Sequence, residues 1–80
     1  MSRTTSRGSR ALAAAGLSQI EVASASGVSQ KSVSAVLAGE RAGAPSRARV
    51  LGAVAGLAGI AEAAVVEASI LRAEREREAT

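Results

Sequence analysis

Eighty residues allow one small domain, and a chain of this length buries only about 60% of the surface its unfolded form exposes, so extra burial against a second chain is expected. Cysteine and histidine are absent, which excludes a disulfide framework and the usual thiolate and imidazole ligands of structural zinc; neither a metal nor a cofactor is expected. The net charge of +3 conceals an asymmetry: residues 1–50 carry seven basic and two acidic side chains, residues 51–80 three basic and five acidic, and the basic part points toward a polyanion.

Residues 1–8 are Ser, Thr, Arg and Gly with one Met, a composition that buries nothing and predicts a mobile basic arm. The stretch "MSRTTSRGSR" has no apolar run of useful length, so a cytoplasmic protein is expected rather than a secreted one. "SRALAAAG" predicts a short helix that stops at Gly16. A second helix starts near Gln19, because Ser18 with Glu21 three places on has the form of a reciprocal capping box. Ile20, Val22 and Ala23 are its core candidates, and Gly27 closes it with a tight turn.

Ser29 caps the third predicted helix, which runs to about Ala38, with Val33, Val36 and Leu37 at the spacing of one buried face. "GERAGAP" reads as a loop, and Ser46, after Pro45, as the cap of a fourth helix lined by Val50, Val54 and Leu57. Gly59 ends that helix. A fifth covers residues 60–79, with Ala63, Val66, Ile70 and Ala73 at steps of three and four. No segment alternates with period two, so the fold class is all-α, a compact bundle of about five short helices.

The apolar stretch from Val50 to Leu71 is too costly for a membrane span: Glu62 and Glu67 would each lose roughly 2–3 kcal/mol in a bilayer, and alanine contributes little insertion energy. The fifth helix has two readings. Its stripe either covers the core of the other four helices or pairs with the same helix of a second chain, and the need for burial favours a homodimer through Val66, Ile70 and Ala73.

Residues 18–37 satisfy the packing logic of a helix-turn-helix. Ala23 is small where two helices cross, Gly27 turns the chain, Val28 and Val33 plug the gap, and Val36 anchors the second helix from below. Gln30, Lys31, Ser34 and Ser32 then project from the first turns of that helix, where this motif meets base edges in a major groove. A Gln amide pairs two ways with adenine, Lys donates to guanine, and Ser reaches bases or phosphates. Ser29 and the amides at the helix N-termini favour nearby phosphates. Arg3 and Arg7 on the arm suit a minor groove or the backbone.

At this point the sequence resembles a known family. "LSQIEVASASGVSQKSVSAVLAGERAGAPSRARVLGAVAGLAGI", residues 17–60, is similar to the lambda repressor/Cro-type (Xre-like) DNA-binding domain, and "GVSQKSVSAVL" also resembles the LacI-type headpiece. The resemblance implies a lambda-repressor-like bundle in which Gln19 bonds a backbone phosphate, Gln30, Lys31 and Ser34 face DNA, and Arg41 and Arg47 lie against phosphates.

Together these readings predict an N-terminal arm over 1–8, a DNA-binding domain over 9–60 and a C-terminal helix over 61–80. The expected function is sequence-specific binding of double-stranded DNA by a small phage-type repressor or Cro-like regulator, a homodimer on an inverted repeat that acts by occupying a promoter. The alternative is an antitoxin-like protein whose C-terminal helix binds a protein partner while the same motif autoregulates its promoter. An enzyme is not expected, since Glu21, Glu40, Glu62 and Glu67 have no paired-carboxylate setting and no phosphate-binding loop occurs. Neither a small-molecule ligand nor a membrane partner is expected, and unpaired RNA lacks the aromatic platforms it stacks on.

Overall fold

Helix α1 spans Arg7–Ala14, α2 Gln19–Ser26, α3 Gln30–Leu37, α4 Ala44–Ala58 and α5 Ile60–Glu78 in a computed structural model that describes residues 6–40 and 44–79. No strand occurs among the described residues. The short helices owe their ends to local chemistry. Ser18 Oγ accepts the Glu21 amide at 3.1 Å, and Glu21 Oε1 accepts the Ser18 amide at 2.9 Å, so the predicted capping box is complete. Ser29 Oγ accepts the Ser32 amide at 3.2 Å at the start of α3. Both α1 and α3 end in the same way: the amides of Gly16 and Leu17 return to Ala13 and Leu12, and those of Gly39 and Glu40 to Val36 and Ala35. This double return satisfies carbonyls that a helix end would otherwise leave unpaired.

Two boundaries differ from the sequence reading. Ser6 Oγ accepts the Ser9 amide, which caps α1 two residues before the predicted start and brings Arg7 and Gly8 into the helix. Gly8 is buried, and a Cβ on it would lie 2.8 Å from Leu37 Cα, so a bare backbone is what lets α1 rest on the end of α3. Neither residue belongs to an arm. Helix α4 starts at Ala44 and contains Pro45 and Ser46 in its first turn, so Ser46 is not its cap. Proline is tolerated there because the amides of a first turn have no intrahelical acceptor.

Each helix contributes to one core. Leu12, Val22, Val33, Val36, Leu37, Val50, Val54, Val66 and Ile70 are all at most 1% exposed, and no aromatic ring is among them. Burying such a side chain is worth about 1.5–3 kcal/mol. Helix α5 runs along α1 and α4 and reaches α3. Its predicted stripe is therefore real but serves the interior: Val66, Ile70 and Ala73, expected at a dimer interface, are 0%, 0% and 7% exposed within a single chain. Two other core candidates turn outward, Ile20 at 65% and Leu57 at 46% exposure. In α2 the inward position is taken by Val22, roughly 200° around the helix from Ile20; in α4 Val50 and Val54 are buried, and Leu57, on their face by spacing, stands in the last turn before Gly59.

No described helix is long and apolar enough to cross a membrane.

Candidate nucleic-acid interface

The outer surface of α3 follows from its inner one. With Val33, Val36 and Leu37 seated in the core, Gln30, Lys31 and Ser34 are exposed on the opposite side. The turn that presents them contains Gly27 at φ +73°, a left-handed conformation in which a side chain is strained, followed by Val28, whose amide donates to Ser26 Oγ at 3.1 Å. An open depression of about 470 Å³ is lined by Gln19, Gln30, Lys31, Ser34, Ala35 and Glu40. Three expected base readers and one expected phosphate ligand thus share a single surface.

Gln19 is oriented from behind. Its Nε2 donates to Ser9 Oγ at 3.0 Å, and the same oxygen accepts from Ser6 Oγ at 2.9 Å. An amide nitrogen has two N–H groups, so one stays available for a phosphate oxygen. Ser9 was not a sequence candidate, because its contact with Gln19 exists only once α1 is packed against the start of α2. Lys31 makes no hydrogen bond or ion pair among the described residues, and its amine is free to meet an anion.

Ser32 does not line the depression. It is half-buried, and its Oγ accepts from Ser29 Oγ at 3.0 Å, which commits the single Ser29 hydroxyl hydrogen to the start of α3. Arg47 is turned away as well: its Nη1 donates to both carboxylate oxygens of Glu74 at 3.0 and 2.7 Å, with the two side chains 24% and 16% exposed. Arg7 makes a forked contact with Glu76, Nε and Nη2 donating at 2.8–3.1 Å. This hydrogen bonding raises the Arg7 pKa and holds the Glu76 carboxyl below the usual carboxylate range. The cause is the same for both arginines: the last turns of α5 pass beside the N-terminal turns of α1 and α4. Arg3 and Arg41 lie outside the described residues.

Two further side chains belong to this region and had no assigned role. Glu40 lines the depression itself. Arg77, on α5, donates from Nε to the Ala38 carbonyl at 2.9 Å and from Nη2 to Glu40 Oε2 at 3.0 Å. A carboxylate at this edge opposes phosphates, and an arginine beside it offsets that charge.

Comparison with known proteins gives a match to a family. The sequence model of the helix-turn-helix family matches residues 9–52, more than half of the chain, covering α1 to the first half of α4. No curated protein and no solved structure gives a significant match. From the family match, the chain therefore belongs to the helix-turn-helix family of Cro/C1 (Xre-like) type, whose members are DNA-binding transcription regulators.

Proposed function

We propose that the protein recognises a specific duplex sequence as a small Cro-like or phage-type repressor, with residues 9–60 reading DNA and α5 holding two copies together on an inverted repeat. The observation that supports it most is the shared depression of Gln19, Gln30, Lys31 and Ser34. The three α3 side chains match base edges, while Gln19 and the backbone amides at the start of α3, the helix that Ser29 caps, suit the flanking phosphates. Promoter occupancy follows from such binding without a further domain.

The dimer surface proposed here is not the buried stripe but its neighbour. Ile60, Val65 and Leu71 are 83%, 59% and 37% exposed, and Ala61, Ala64 and Ala68 fill the same face. Between α1 and α5 runs a groove with Ala11 and Val65 at its centre, Glu62 at one end and Arg10 and Arg72 at the other. A face that is acidic at one end and basic at the other complements itself when reversed, as a two-fold interface requires.

Selection from random duplex DNA is the test of the reading: a two-fold symmetric motif with half-sites about one helical turn apart is expected, and recovery of no motif overturns it. Val65→Arg places a charge at the proposed two-fold contact and should convert a dimer to a monomer in sedimentation without lowering the melting temperature of the chain. A variant that stays dimeric removes this face from consideration.

A further inference from the structure

We propose that Arg77, which lies on α5 and outside the family match, is a positioning residue for DNA binding that acts through Glu40, masking a carboxylate at the edge of the recognition surface. The inference rests on the DNA-reading role proposed above.

Glu40 shares the depression with Gln30, Lys31 and Ser34. It follows Gly39, the left-handed residue at φ +74° that ends α3, and it is held in place by its own amide on the Ala35 carbonyl at 2.9 Å. The backbone that carries this carboxylate is thereby fixed at the edge of the surface that phosphates would approach. An uncompensated negative charge there would work against a polyanion at every sequence alike.

Arg77 answers that charge from the other end of the chain. One guanidinium nitrogen binds Glu40 Oε2 and another the carbonyl of Ala38, the residue at the C-terminal end of α3. A cation here also suits the negative end of the α3 dipole. The approach is built into the backbone: a Cβ on Gly39 would lie 2.7 Å from Glu74 N and 2.8 Å from Ala73 C, so α5 passes in direct contact with the end of α3 and delivers Arg77 one turn later. Both side chains are about half exposed, 53% and 54%. Exposed pairs of this kind contribute little to stability. The pair matters more when DNA covers it, because water leaves and screening falls.

One double-mutant cycle separates masking from two other roles for Arg77, a direct phosphate contact and support of the end of α3. The full chain and its Arg77→Ala, Glu40→Gln and combined variants are titrated with a duplex recovered by selection, at two salt concentrations, alongside melting temperatures. Masking predicts that Arg77→Ala weakens binding about fivefold or more at low salt, that Glu40→Gln tightens it modestly, and that the combined variant returns to within about twofold of Glu40→Gln. Arg77→Lys, which keeps the charge and loses the fork, should recover part of the loss. If the combined variant binds as weakly as Arg77→Ala, Arg77 acts on phosphate directly or only supports the end of α3, and the proposal is overturned. Should Arg77→Ala fail to fold, Arg77→Gln in both Glu40 backgrounds carries the same comparison. Wild-type protein that binds no selected duplex overturns the DNA-reading function itself, whereas tight wild-type binding without coupling overturns only the masking role.

Discussion

Helices α3 and α5 each seat three side chains in the core, Val33, Val36 and Leu37 in one and Val66, Ile70 and Ala73 in the other, yet their outer faces differ in kind. The exposed side of α3 carries Gln30, Lys31 and Ser34, groups whose hydrogen bonds water satisfies until base edges replace it. The exposed side of α5 carries Ile60, Val65 and Leu71, which water does not satisfy, and beyond them charged side chains that bind back onto α1, α3 and α4. The inward faces explain why the chain folds. What distinguishes the two helices lies on the faces that folding leaves open: one polar, proposed to read nucleic acid, the other apolar, proposed to meet a second copy.

The largest effect that sharpens this comparison sets adjacent residues of α5 against each other. Ile70→Ala removes a fully buried side chain and should cost about 2–5 kcal/mol of stability, enough to unfold a chain this small. Leu71→Ala, one position along and on the outer face, should leave the melting temperature nearly unchanged and weaken self-association instead. Equal losses of stability would mean that the two faces of α5 are not separate.

A smaller effect concerns the pair that ties α1 to α5. The folded-state pKa of Glu76 is lowered by the hydrogen bonds from Arg7, so its contribution to stability is present above the unfolded carboxylate pKa and is lost as pH falls through the folded value. The stability difference between wild type and Glu76→Gln should therefore favour wild type at pH 7 and shrink as pH falls below the ordinary carboxylate range, read from urea midpoints at each pH. A difference independent of pH would show that Arg7 and Glu76 do not pair in solution.

The parts of the molecule legible in the sequence are those decided by neighbours along the chain. Ser18 with Glu21, Gly27 and Ser29 identify the ends of α2 and the start of α3 because capping spans three residues and a left-handed turn needs one. The same holds for Gln30, Lys31 and Ser34, whose outward direction follows from Val33, Val36 and Leu37 beside them. What stayed hidden depends on where distant segments pass. Gly8 reads as part of an arm until α3 is seen against it. The same is true of the pairs Arg7–Glu76, Arg47–Glu74 and Arg77–Glu40, whose members lie 69, 27 and 37 residues apart in the sequence. Periodicity located the stripe of α5 at Val66, Ile70 and Ala73 correctly, but spacing alone does not say whether a stripe meets its own chain or another.

That α3 reads bases with its outer face is tested most directly by changing one side chain and one base pair together. Affinities of wild type and Gln30→Ala are measured on the selected duplex and on duplexes altered at each position of a half-site. The account predicts that Gln30→Ala loses discrimination of about 1–3 kcal/mol at one base pair and retains it at the others. A uniform loss across every duplex, or none at any, would contradict it.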